Sequence, residues 1–477
     1  MLYDIITTVF TNLHKDNVEK YFFRQRIMKV FKNLKKYLIT YFSLIVIFVL
    51  LLSLSNLIPK DRIINNVQAS SKQLLEYKNI SETSPDMAAA YKIDYYTDSV
   101  MINTAYFTDT KNPINSALAC SSFGGGVDHL INVASKPSIN PNKNYSRYWH
   151  GYLIFLRPLL MFFDYLEIGI LNTYLFFVLL CICLVVLAKK VSGWFPIAFI
   201  LTIASLNIII LPINMQLACV FLMSFLSILF VLYIYNKRRS YTYLAFFIIG
   251  MITMFFDFYT YPILTYGFPA IALVALIDKE GNMSLKGIFK LVFLCLLTWG
   301  LGYVLAWIGK IILAGVFVGK SEIEAAFVSW SSRIAREVPD LTKEKVAEGI
   351  NSLIPSLNVD RIPLWIIAIC ISAFQVINRA SLTIASIILV LFLVLFILFR
   401  KKKGKRKVSV VYIAVAAIPL LWFSVAANPT IIHFYFQYRG IGVTILALLC
   451  AMFSSIDTDK LKERISRSRS KKKKTTD

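Results

Sequence analysis

The stretch "YFSLIVIFVLLLSLSNLI", residues 41–58, carries no charge. "TIASIILVLFLVLFILF", residues 383–399, carries none either. Each run reaches the roughly 17 residues a helix needs to cross a hydrocarbon core about 30 Å thick. A backbone inside lipid must satisfy its own hydrogen bonds, so runs of this kind fold as helices or not at all. With 57% hydrophobic and only 16% charged residues, the chain reads as a multi-pass membrane protein.

The formal net charge of +24 sits between apolar runs and at the termini. "RQRIMKVFKNLKK", "NKRR", "RKKKGKRK" and "KLKERISRSRSKKKK" are its main clusters. That placement follows the positive-inside bias and speaks for membrane lipids, not nucleic acid, as the partner. Of seven cysteines, Cys120 alone lies in a polar loop, and the others read as small buried apolar groups.

Charge alternation divides the chain. Residues 1–36 form a basic cytoplasmic N-terminus, and 37–58 a first transmembrane helix retained as an anchor. Residues 59–165 form a long extracytoplasmic loop, and loops of that length are functional or separately folded. A transmembrane bundle occupies 166–307, with spans near 166–188, 193–212, 215–235, 242–257, 261–277 and 288–307. A second extracytoplasmic loop covers 308–362. C-terminal transmembrane segments occupy 363–456, with 363–378 re-entrant or lying in the interface because Asn378 and Arg379 break a stretch too long for one span. The tail 457–477 returns to the cytoplasm. The expected fold is all-α: a polytopic helix bundle of about ten transmembrane helices, with interfacial helices in the first outer loop.

Three outer elements concentrate polar and aromatic side chains: "YKIDYYTDSVMINTAYFTDTKNP", "NYSRYWHGYLIFLRPLL" and "HFYFQYR". In the first, Asp94 and Asp98 stand four apart among tyrosines, with Asp109 further along. A carboxylate near apolar rings gains proton affinity, which suits it to take a proton from a sugar hydroxyl. In the second, Arg147, His150 and Arg157 match the oxygens of a phosphate headgroup. Tyr148, Trp149 and Tyr152 read as interfacial anchors. Tyr438 and Arg439 open the last span close to His433, and an arginine at that end invites an anionic partner. Asp257 in "FFDFYTYP" is either functional or a helix cap. No HExxH, GxSxG or Walker motif is present, which disfavours zinc proteases, serine hydrolases and ATP-driven pumps.

The layout resembles the GT-C superfamily of integral-membrane glycosyltransferases. "DYYTDSVMINTAY", "NYSRYWHGYLIFLRPLL", "FFDFYTYPILTYGFP", "GYVLAWIGK" and "HFYFQYR" are similar to stretches of multi-pass envelope proteins of Gram-positive bacteria with that architecture. The resemblance implies a bacterial plasma-membrane enzyme that takes a sugar from a polyprenyl-phosphate donor to an envelope glycan or other acceptor on the outer face. It implies Asp98 or Asp94 as the catalytic acid, and Arg147, His150 and Arg439, with Tyr438 and Asp257 beside them, as the lipid-phosphate site. It allows a divalent metal ion as cofactor, with ligands unassigned. A polysaccharide polymerase or ligase, or a transporter of lipid-linked glycans, is the alternative; no internal repeat supports the transporter.

Overall fold

A computed structural model describes residues 34–83, 93–334, 366–367, 369–370, 394 and 408–456. Both basic termini, most of the second loop, nearly all of the 363–378 segment and the 381–399 span lie outside these residues. The chain divides into two units, Met1–Phe48 and Val49–Asp477. In the first, residues 34–48 are wholly helical.

The described residues are mostly helical, with almost no strand. They comprise α1 (Leu34–Asn56), α2 (Ile64–Thr83), α3 (Tyr95–Tyr106), α4 (Pro113–Ala119), α5 (Val127–Ser135) and α6 (Leu153–Leu160). Next come α7 (Tyr165–Lys190), α8 (Phe195–Ser205), α9 (Met215–Lys237), α10 (Thr242–Phe256), α11 (Ile263–Glu280), α12 (Leu285–Phe317) and α13 (Ser321–Ile334). The C-terminal part holds α14 (Ser409–Ala416), α15 (Ile418–Val425), α16 (Ala427–Ile432), α17 (Phe434–Gln437) and α18 (Gly442–Ser454). One two-residue antiparallel ladder pairs Ser121 with Asn144 and Ser122 with Lys143.

Among the described residues, five helices are long and apolar enough to cross a membrane: Leu34–Asn56, Tyr165–Lys190, Met215–Lys237, Arg239–Phe256 and Leu285–Phe317. Local chemistry sets their ends. Asp164 and Glu167 exchange hydrogen bonds with each other's backbone N–H at 3.1 and 3.0 Å, a capping box that starts α7. Ser284 accepts from Gly287 N at 3.2 Å and starts α12. Gly281, at φ +67°, ends α11 in the left-handed conformation that glycine adopts without strain.

Packing separates the helices into inner and outer. Every residue of α11 from Ile263 to Ile277 is buried, so this helix is the core of the bundle. By contrast α7 exposes Ile170, Tyr174, Val178 and Val185, an apolar face of the kind lipid covers. Helices α10 and α12 touch backbone to backbone: a Cβ at Gly250 would overlap the Trp299 carbonyl oxygen, and one at Gly302 that of Phe247. Small residues allow such approach in membrane helices.

The sequence reading closes the span near 288–307, but α12 continues to Phe317. Lys310 explains the extension: it is fully buried, and its Nζ donates to the Ala117 and Leu118 carbonyls at 3.1 and 2.8 Å. A cation at the C-terminal end of α4 satisfies carbonyls the helix leaves open. Arg157 does the same between other elements. Wholly buried, it donates from Nε to Ser55 O at 2.9 Å and from its two terminal nitrogens to Ala105 O and Ile58 O. It therefore clasps the ends of α1 and α3.

The two ends of the bundle differ in chemistry. Lys279 Nζ donates to Lys190 O at 3.0 Å, and Arg239 pairs with Glu280 at 2.7 Å, so the basic connections gather at one end. The starts of α7, α9 and α11, and the finish of α10, lie at the other.

Candidate functional site

The segment Tyr145–Tyr152 is held against the bundle by its backbone. Gly151 N–H donates to Phe255 O at 2.8 Å, and a Cβ at Gly151 would overlap that carbonyl. His150 precedes it at φ +56°, a conformation rare for side-chain-bearing residues and frequent at functional sites. This geometry turns Trp149 inward and leaves Tyr145, Arg147 and Tyr148 on the other side. Trp149, Tyr148 and Tyr152 are buried, which corrects their reading as interfacial anchors.

His150 lies behind them. Its Nε2 is 2.8 Å from the Tyr145 carbonyl and its Nδ1 is 3.1 Å from Tyr152 Oη. The tautomer that fits donates from Nε2 and accepts at Nδ1. Burial, and then the charge of Lys310, bring its pKa down to about 3, so the ring is neutral. It packs on Tyr145 at 4.8 Å and on Phe258 at 5.1 Å between centroids. Its observed contacts are thus those of a support for these rings.

In front of them lies a cavity of about 290 Å³. Tyr96, Thr97, Val100 and Met101 of α3 form one wall, and Tyr145, Arg147 and Tyr148 the next. Gln216, in the first turn of α9, and Phe258 and Tyr259 continue it, and Pro429, His433 and Phe436 close it. Five segments far apart in sequence therefore meet here, three of them the aromatic-rich elements singled out above. Tyr259, which is on the wall, also has a positive φ, +66°.

Arg147 is the cavity's cation. Its guanidinium carbon stands 4.4 Å from the Tyr145 ring centroid and 5.6 Å from that of Tyr148. Its Nε is buried and has no hydrogen-bond partner among the described residues. Gln216, only 4% exposed, likewise has a buried Oε1 without a partner among them.

The carboxylates stand behind the wall. Asp98 is fully buried: its Oδ2 accepts from Tyr165 Oη at 2.8 Å and from Met215 N at 3.1 Å, and its Oδ1 from Gln216 N at 3.1 Å. It thus occupies the N-terminus of α9, where open N–H groups and the helix dipole favour an anion. Burial first, and the charge of Asp94 second, push its carboxyl up to about 7 against these three donors. Asp94 caps α3 by accepting from Thr97 N at 3.0 Å, and its own N–H donates to Asn214 Oδ1.

Asp257 organises its own turn. It accepts from Tyr259 N at 2.9 Å, Thr260 N at 3.0 Å, Thr260 Oγ1 at 2.5 Å and Tyr303 Oη at 3.3 Å. Burial raises its pKa and these donors oppose the rise. Tyr438 and Arg439 are buried at the start of the last helix, the guanidinium carbon 4.8 Å from the Tyr438 ring centroid. Among the residues expected from sequence, Arg147 is on the cavity wall; Asp98, Asp257 and His150 hold the elements that form it.

Gln216 is the wall residue sequence reasoning missed. A signal was present: in "INMQLACV" an amide stands in the first turn of an otherwise apolar run. Among the described residues no three His, Cys, Asp or Glu side chains gather as a metal site.

No family model, curated protein or solved structure matches the chain.

Proposed function

We propose that the chain is a multi-pass membrane glycosyltransferase of GT-C-like architecture, acting on a polyprenyl-phosphate sugar at the outer face of a bacterial plasma membrane. About ten spans and two cytoplasmic termini belong to this reading. The basic end of the bundle faces the cytoplasm under the positive-inside bias, and the cavity then faces out.

The observation that carries the proposal is the meeting of Arg147 with aromatic rings from separate segments in one cavity. A guanidinium matches phosphate oxygens in a fork, and rings offer apolar faces to a sugar. In the reaction, an acceptor hydroxyl oxygen bonds to the anomeric carbon. The bond from that carbon to the phosphate oxygen breaks, and polyprenyl phosphate departs with the bonding electrons. Arg147 stabilises the charge left on the phosphate. The hydroxyl proton passes to a carboxylate, and we assign Asp94, which stands behind the wall as the cap of the helix carrying Tyr96 and Thr97 and takes the proton through one water. Asp98, with both oxygens engaged, supports Gln216 and the start of α9.

The test compares envelope glycans of cells lacking the protein with cells expressing Arg147→Ala or Asp94→Asn at wild-type levels. Both variants are expected to reproduce the deletion. Wild-type glycan in both, alongside a changed glycan in the deletion, sinks the proposal.

A further inference from the structure

We propose that the Gln216 carboxamide selects the ligand of this cavity by hydrogen bonding to a hydroxyl of a sugar ring whose phosphate is held by Arg147. The inference rests on the cavity reading above and adds to it the group that distinguishes a glycosyl phosphate from phosphate alone.

Buried polar atoms in folded proteins are paired, and one left unpaired forfeits its lost hydration without a bond in return. Two residues lining this wall each carry one: Gln216 the acceptor Oε1 and Arg147 the donor Nε. Their chemistry is complementary to a ligand that carries both a hydrogen-bond donor and an acceptor or anion. Inorganic phosphate meets the arginine; a hydroxylated ring joined to it meets both.

The backbone that carries the carboxamide is fixed in place. The Gln216 N–H is held by Asp98 Oδ1 at 3.1 Å, the neighbouring Met215 N–H by Asp98 Oδ2 at 3.1 Å, and Asp98 is in turn held by Tyr165. The nearby wall is apolar or aromatic at Val100, Met101, Phe258 and Phe436. In such surroundings a buried hydrogen-bonding group discriminates strongly, because a ligand lacking its partner leaves it unpaired.

The experiment measures equilibrium binding of three probes to the detergent-solubilised full chain: glucose 1-phosphate, its monodeoxy analogues and inorganic phosphate. Wild type is expected to bind glucose 1-phosphate more tightly than inorganic phosphate and to bind at least one deoxy analogue about 10-fold more weakly. Gln216→Met, similar in volume and without a strong hydrogen-bonding group, is expected to lose that discrimination and keep its affinity for inorganic phosphate. Gln216→Asn, which withdraws the amide by one methylene, is expected to weaken only the sugar phosphates and serves if the methionine variant does not fold. Unchanged discrimination in a folded Gln216 variant overturns the inference and leaves the cavity reading standing. Phosphate binding that survives Arg147→Ala undamaged, or no binding of any probe by wild type, overturns both.

Discussion

The Trp149 indole N–H donates to the Ala306 carbonyl at 2.8 Å, joining residues 157 apart in sequence. Trp149 also packs on Phe255, with centroids 5.9 Å apart, so the turn that carries Arg147 is pinned to α10 and α12 together. Trp149→Phe keeps the ring and loses the bond, at an expected cost of about 1 kcal/mol. Trp149→Ala also leaves a cavity, at about 3–5 kcal/mol. Thermal unfolding in detergent separates the two; equal midpoints for them would refute the assignment.

The α10–α12 contact makes a second prediction. Gly250→Ala and Gly302→Ala each push a methyl group into a facing carbonyl, for an expected loss of about 1–3 kcal/mol apiece. Gly193→Ala, which meets nothing within 4 Å, is the control and is expected to leave the midpoint unchanged. A similar effect at all three sites would show that backbone contact is not the cause.

Arg147→Lys keeps the charge and loses the planar fork. Transfer from a polyprenyl-phosphate sugar in proteoliposomes is expected to fall about 10- to 100-fold, the value of a charge-assisted bond. The unfolding midpoint is expected to hold within a degree or two, because Arg147 has no ion-pair partner among the described residues to lose. Full activity in the lysine variant would remove the case for bidentate phosphate recognition.

Asp98 and His150 give stability opposite dependences on pH. The Asp98 carboxyl rises from 3.8 to about 7 on folding, so its contribution is complete below about pH 4 and is lost as pH rises through 7. The His150 pKa falls from 6.5 to about 3, so its contribution is complete above about pH 6.5 and is lost as pH falls toward 3. Asp98→Asn is expected to remove the loss on the alkaline side. His150→Asn, which tolerates positive φ, is expected to remove the loss on the acid side. Midpoints measured from pH 4 to 8 check both, and curves parallel to wild type would contradict them.

Much of the helical layout was legible because lipid imposes a simple pattern. The starts expected near 166, 215 and 288 fall at Tyr165, Met215 and Leu285, where a cap or a polar residue interrupts an apolar run. The far end of α12 was not legible, since Lys310 is tolerated there by carbonyls almost two hundred residues earlier. Tyr148, Trp149 and Tyr152 show the same limit: composition alone cannot tell a ring facing headgroups from one buried on Phe258 or Phe255. Grouping the outer aromatic segments found most of the cavity's sides. Telling Arg147 on the wall from His150 behind it required the turn at His150 and Gly151.

Arg157 bears on the order in which this chain is made. The carbonyls it gathers, at Ser55, Ile58 and Ala105, all leave the ribosome before it, the last of them 52 residues earlier. Until residue 157 arrives, the ends of α1 and α3 lack their shared donor. A nascent chain stopped short of that point therefore lacks the clasp, which closes only once residue 157 has left the ribosome.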